Sequence, residues 1–203
     1  MAGWTTCTGQ ALILPIDNVD TDQLIPARFM SVPRSEGYGT YLLHDMRRDA
    51  DGSLSANFAL NQNMEVSILV AGCNFGCGSS REAAVYALVD AGIRAVIAPS
   101  FSDIFASNAV NNGLLPALIG ADDAEALSKL FTGKPAEIAI NLRSSTLRCG
   151  QTEMQFQLQD SWRTKLISGL DDIDLTLQHM DKIRSYQNIR YSTSAWAWPA
   201  PAN

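Results

Sequence analysis

The chain has 203 residues, 46% of them hydrophobic and 18% charged, enough to bury one core in one domain with or without an appended segment. Its 15 basic and 21 acidic residues give a formal charge of -6, which excludes the basic stripe of a nucleic-acid surface but not a local cluster for a small anion. No apolar run reaches the roughly 18 residues of a membrane helix. The first basic residue is Arg28, so a secretory signal is not expected. Cys7, Cys73, Cys77 and Cys149 are too few and too scattered for a disulfide scaffold, and a cytoplasmic protein with reduced thiols is expected.

In chain order, residues 10–14 read as a strand, followed by the polar turn Asp17-Asn18-Val19-Asp20-Thr21-Asp22. Residues 26–63 form a loop-rich, weakly periodic stretch of the kind that is either functional or disordered. A fully apolar strand over 66–71 then leads through Asn74-Phe75-Gly76-Cys77-Gly78-Ser79-Ser80-Arg81-Glu82 into a helix over 82–91. A strand at 95–98, a helix over 102–110 and a short apolar run at 114–119 follow. Such alternation of strand and helix predicts a parallel α/β sheet.

Beyond residue 120 the pattern changes. Asp122-Asp123-Ala124-Glu125 is an acidic first helical turn, and the breaker pair Gly133 and Pro135 closes that helix. Residues 137–142 and 153–158 alternate as strands of a hairpin or meander. Helical spacing returns from 170 to about 186, whereas 195–201, with Trp196 and Trp198, fits neither period. One domain over 1–190 with a tail over 191–203 is expected.

The glycine turn carries the most chemical information. Its glycines allow a tight turn and a close approach to a ligand. Ser79 and Ser80 fall where a helix leaves amide hydrogens unpaired, and Arg81 follows; amides, helix dipole and guanidinium together suit an anion. The same spacing also fits an ordinary capped turn with a surface arginine. It is neither a P-loop nor a hydrolase elbow. The 18–22 turn similarly fits Asx-turns, a metal or an oriented base. Cys73 and Cys77 lack the two further ligands of a zinc site, because His44 and His179 stand at no matching spacing.

Taken in order, Asn18-Val19-Asp20-Thr21-Asp22-Gln23-Leu24-Ile25-Pro26, Asn74 through Glu82, Ala98 through Phe105, Asn111-Asn112-Gly113-Leu114-Leu115-Pro116, and Gly169-Leu170-Asp171-Asp172-Ile173 with Leu175-Thr176-Leu177-Gln178-His179 resemble the small subunits of 3-isopropylmalate dehydratase, in the aconitase superfamily. The resemblance spans about residues 4–187. It implies an α/β fold, a swivelling β/β/α domain with a mainly parallel central sheet, additional antiparallel strands and flanking helices.

The resemblance further implies a hydro-lyase subunit of leucine biosynthesis that interconverts 2- and 3-isopropylmalate by dehydration and rehydration. Its partner is a large subunit carrying a [4Fe-4S] cluster; the small chain itself binds no cofactor or metal. Ser79 would be the catalytic base, with Asp22 orienting a group of the large subunit or a water. Amides of Ser80 and Arg81 would stabilise charge at that serine. Arg81, Ser80, Thr21 and Arg34 would bind the alkylmalate, and Phe29, Met30, Val32 and Tyr38 would wall its alkyl group. Activity on a homoaconitate- or methylmalate-type diacid, or a non-catalytic binding module, are the alternatives. The family pattern after Ser-Ser-Arg-Glu is usually His-Ala-Pro-Trp-Ala-Leu; here it is Ala83-Ala84-Val85-Tyr86-Ala87-Leu88.

Overall fold

The computed structural model describes residues 2–63, 65–131 and 134–198. The expected breaker glycine Gly133 and the tail residues 199–201 lie outside them. Two compact units are present, residues 1–169 and 170–203.

The first unit is built on one seven-stranded sheet: β1 (Thr6–Leu14), β2 (Val66–Ala71), β3 (Ala95–Ala98), β4 (Leu115–Leu118), β5 (Ala136–Asn141), β6 (Thr146–Cys149) and β7 (Thr152–Gln155), in the order β4-β3-β2-β1-β5-β6-β7. β1 is the seam. It pairs parallel with β2, Leu12 facing Leu69, and antiparallel with β5, Thr6 facing Asn141. The parallel half continues through β3 and β4, and the antiparallel half is the β5–β6–β7 meander.

Strict alternation divides the buried side chains between the two faces. Leu69, Ala71, Val96 and Ala98 enter one core, Ile68, Val70, Ala95 and Ile97 the other. Being covered on both sides, β2 and β3 read as continuous apolar runs. Between strands lie α1 (Thr21–Leu24), α2 (Ala59–Gln62), α3 (Glu82–Asp90), α4 (Asp103–Asn111) and α5 (Ala121–Leu130), and α6 (Asp160–Ser168) follows β7. On α3, Ala83, Ala84, Val85, Ala87 and Leu88 are buried in the first core; Leu127 of α5 and Leu166 of α6 close the second.

Strand β6 and helix α6 are additions to the expected pattern, and within the 26–63 stretch short 3-10 helices at Ala27–Ser31, Arg34–Glu36 and Gly39–Tyr41 precede α2. Within the second unit, α7 (Asp172–Leu177) is held by a capping box between Asp171 and Asp174, and α8 runs from Met180 to Thr193 with His179 at its N-cap. No helix among the described residues is long and apolar enough to cross a membrane.

Candidate active site

Three loops leave the carboxyl ends of the parallel strands β1, β2 and β3 and are zipped together by hydrogen bonds. The Asn18 amide donates to the Cys73 carbonyl at 2.8 Å, the Gly76 amide to the Val19 carbonyl at 2.8 Å, and the Thr21 amide to the Cys77 carbonyl at 2.9 Å. Side chains extend the clasp. Asp17 accepts the Cys73 amide at 2.6 Å, and Asn74 Nδ2 donates to Asn18 Oδ1 at 2.8 Å. Ser100, after β3, accepts the amides of Asn74 on its hydroxyl and Phe75 on its carbonyl. The carboxyl ends of strands in open α/β sheets are where such folds bind ligands.

Local conformation explains the residue types. Asn18 and Asn74 adopt left-handed φ angles of 57° and 56°, which asparagine tolerates better than most residues. Gly76 has φ of 74° and is buried against Phe105, whose ring would lie 2.1 Å from any added Cβ. Asp20 caps α1 reciprocally with Gln23, its carboxylate accepting the Gln23 amide at 2.7 Å while Gln23 Oε1 accepts the Asp20 amide at 2.9 Å. That cap aims Thr21 and Asp22 at the glycine turn.

The clasp brings together five of the six expected site residues: Thr21, Asp22, Ser79, Ser80 and Arg81. Thr21, almost wholly buried, donates its hydroxyl to the Ser79 carbonyl at 3.0 Å. The same carbonyl accepts the Arg81 amide at 2.7 Å. Asp22 forms an ion pair with the Arg81 guanidinium, with side-chain exposures of 53% and 22%. Gly78, Ser79 and Ser80 are exposed, and among the described residues no hydrogen bond engages either serine hydroxyl.

Two expectations need correction. The serines do not cap α3: its N-cap is Arg81, in an extended conformation and without a side-chain cap bond. The Arg81 amide is also committed to the Ser79 carbonyl, so it is not free to stabilise charge on the Ser79 hydroxyl.

The sixth residue, Arg34, stands apart. It pairs with Asp90 at the opposite, C-terminal end of α3 and lies over the Tyr86 ring at 4.2 Å. Asp90 also accepts the Tyr38 amide at 2.7 Å, so this carboxylate pins the 34–38 segment to the helix. Burial and the Glu82 carboxylate push the Tyr86 phenol up. Tyr38 itself is buried in the first core and cannot wall a ligand, whereas Met30 is exposed and Phe29 stacks on Tyr41 at 4.3 Å. Alongside, Arg28 holds Asp45, and that contact together with His44 lowers the Asp45 carboxyl to about 2.

Spacing did not reveal the roles of Asp17, Asn18, Asn74 and Ser100. Their only sequence signal is polar residues directly after apolar strands. Among the described residues no three His, Cys, Asp or Glu side chains are grouped to hold a metal ion. Cys7 and Cys149 are buried in the sheet, and Cys73 and Cys77 lie on the clasp, an arrangement that does not fit a cluster held by this chain.

Residues 1–121 match the aconitase C-terminal domain family. The chain is 45% identical over 193 residues to the 3-isopropylmalate dehydratase small subunit of Shewanella baltica, covering 92% of this chain and 96% of that one. Over 190 residues it is 45% identical to the same subunit of Bifidobacterium longum subsp. infantis, covering 92% and 80%. Among solved structures, 3-isopropylmalate dehydratase from Methanocaldococcus jannaschii superposes with a TM-score of 0.65 at 27% identity, covering 90% of this chain and 99% of that one.

Proposed function

We propose, from the premise that this chain belongs to the 3-isopropylmalate dehydratase small-subunit family, that it supplies one half of a hydro-lyase active site and works in leucine biosynthesis. The observation that carries this reading is the exposed Ser79–Arg81 turn, held against Thr21 and Asp22 by the three-loop clasp. A serine and a carboxylate grip lying open at a surface suit a site that a second chain completes. That chain is a cytoplasmic large subunit bearing a [4Fe-4S] cluster, which when bound supplies the Lewis acid for the departing hydroxyl. We read residues 1–190 as the swivelling domain of the small subunit and 191–203 as its tail.

On this chain, Arg81 exchanges Asp22 for a carboxylate of 2-isopropylmalate, since a guanidinium fork can accept either carboxylate in two parallel hydrogen bonds. The neighbouring Ser80 hydroxyl donates to the same group. Ser79, as its alkoxide, then takes the proton from the carbon beside a carboxylate while the adjacent carbon releases its hydroxyl as hydroxide; a double bond is formed, and return of the serine proton to the hydroxide completes the loss of water and restores the base. Re-addition with the two positions exchanged yields 3-isopropylmalate. Thr21 fixes the Ser79 backbone, and Asp22, once released, orients the group that faces it. Arg34 acts on the substrate through the 34–38 segment that it anchors to α3.

The replacement of the family's usual histidine and proline by Ala83 and Val85 falls on buried positions of α3. It alters packing beneath the turn and leaves Ser79 and Arg81 in place. Reconstitution with a cognate large subunit tests the reading: turnover of 2-isopropylmalate by the pair and by neither chain alone is expected. Full turnover by the isolated small chain, or by a pair carrying Ser79→Ala, overturns it.

A further inference from the structure

The Asn111-Asn112-Gly113 run at the end of α4 reaches the residue that follows the Arg81 grip. Gly113, with φ of 79°, stops α4; its amide donates to the Val110 carbonyl at 3.1 Å, and the Leu114 amide to the Ala109 carbonyl at 2.9 Å. The stop fixes the backbone of Asn112, the C-cap of that helix. Its side-chain amide is fixed as well, because Nδ2 donates both to the Asn108 carbonyl at 2.9 Å and to Glu82 Oε1 at 2.8 Å.

Glu82 is the first residue of α3 and stands directly after Arg81. A helix N-terminus favours a carboxylate, so the dipole keeps this charge beside the guanidinium. Arg81 nevertheless takes its ion partner, Asp22, from α1, and among the described residues Glu82 forms no ion pair. The direction of its side chain accounts for this. Besides Asn112, the Glu82 carboxylate meets the Tyr86 phenol one turn further along α3, and burial and this carboxylate together push that phenol up. Both contacts draw the charge toward Tyr86 and the end of α4.

A loose Glu82 would behave differently. A carboxylate tethered next to a guanidinium presents itself at an effective concentration on the order of millimolar or higher, and so rivals a dicarboxylate arriving from solution. Asp22 lies on a separate loop and can be exchanged for such a ligand. A neighbour in sequence cannot be carried away, and only a contact that holds it elsewhere removes it from competition.

We propose that Asn112 is a positioning residue for the carboxylate grip: its amide holds Glu82 off Arg81 and leaves the guanidinium to the substrate once Asp22 is released. The role rests on Arg81 gripping a substrate carboxylate in the hydro-lyase half-site. Asn112 acts only through Glu82, so its loss is repaired by removing the charge that it restrains.

Steady-state kinetics of the reconstituted pair on 2-isopropylmalate test this. Asn112→Ala should raise KM by roughly three- to fivefold, the strength of an exposed ion pair, with kcat within about twofold of wild type. Asn112→Ala combined with Glu82→Gln should return KM to within about twofold of wild type, and Glu82→Gln alone should stay there. If Asn112→Ala fails to fold, the isosteric Asn112→Asp, whose carboxylate repels Glu82, replaces it with the same second-site test. A parallel titration of the isolated chain with succinate, followed by NMR at the Ser80 and Arg81 amides, needs no turnover and should show the same weakening and the same repair. A wild-type pair without turnover would sink the hydro-lyase reading, and the succinate titration would still decide the role of Asn112. An unchanged KM and succinate affinity in Asn112→Ala, a loss that Glu82→Gln does not repair, or no succinate response at the wild-type turn overturns the proposal.

Discussion

The Thr21 hydroxyl donates to the Ser79 carbonyl at 3.0 Å, linking the first turn of α1 to the glycine turn across 58 positions of sequence. Two donors, this hydroxyl and the Arg81 amide, converge on one carbonyl oxygen. The backbone of the proposed base is thereby fixed on both sides while its own hydroxyl stays exposed. Thr21→Val removes one donor without changing shape. It should lower stability by about 1–2 kcal/mol and slow the reconstituted pair, whereas Thr21→Ser keeps the bond and should stay near wild type. Urea unfolding and turnover, measured on both variants, check this.

Ser79→Ala removes an exposed hydroxyl that no other described group engages. Unfolding should shift by no more than about 0.5 kcal/mol, while turnover of the pair falls by roughly 10²–10⁴-fold. A loss of both together would mark Ser79 as part of the packing and not as a base.

The Asp22–Arg81 ion pair is half exposed, so it contributes little to stability. Asp22→Asn should change unfolding by less than about 1 kcal/mol. Arg81→Lys preserves the charge but loses the planar fork, so it should raise KM for the alkylmalate more than it lowers kcat. Steady-state kinetics on the reconstituted pair separate the two effects.

Gly76 and Gly78 make a controlled comparison. Both have left-handed φ, but only at Gly76 does an added Cβ collide with a buried ring, at 2.1 Å from Phe105; at Gly78 the nearest atom is 3.4 Å away. Gly78→Ala should therefore cost about 1–2 kcal/mol from backbone conformation alone. Gly76→Ala adds overpacking of about 1–3 kcal/mol to the same term. Equal midpoints for the two variants in chemical denaturation would remove Phe105 from the explanation.

Asp45 gives a pH dependence of known sign. Arg28 and, secondarily, His44 depress its carboxyl from the ordinary 3.8 to about 2. A depressed folded value means the contact favours the folded state above roughly pH 4, and that this contribution fades as pH falls toward 2. Titration of the Asp45 carboxyl carbon by NMR should show a midpoint near 2 in the wild type. In Arg28→Gln that midpoint should rise toward the ordinary carboxylate range.

Strands β2 and β3 were legible because burial on both faces demands unbroken apolar runs, and α4 and α5 because their acidic first turns and the breakers behind them are local signals. Strand β6 escaped: Thr146–Cys149 is four residues long and puts only Leu147 and Cys149 inward, too short for alternation to register. Helix α6 escaped because Lys165, buried and donating to Asn111, interrupts its apolar face. At the site, residue types were readable but partners were not. That Asn18 meets Asn74, and that Arg34 turns to Asp90 instead of the glycine turn, depends on contacts between segments far apart in sequence. The misplaced helix cap has a local cause. The Arg81 amide turns back to Ser79, which keeps Ser80 out of the helix and delays its start to Glu82.

The position of β1 at the seam has a kinetic consequence. Gln10 finds its parallel neighbour at Val66 and Thr6 its antiparallel one at Asn141, so the strand synthesised first acquires its last partner only after most of the chain exists. Closing such long loops before any pairing repays their entropy slows folding. The loop that follows β1 carries Thr21 and Asp22, and it cannot clasp the glycine turn until that strand is seated. Assembly of the site therefore waits on the pairing of β1 with β2, and a chain lacking β1 would present the Ser79 turn without the strand that holds its other half.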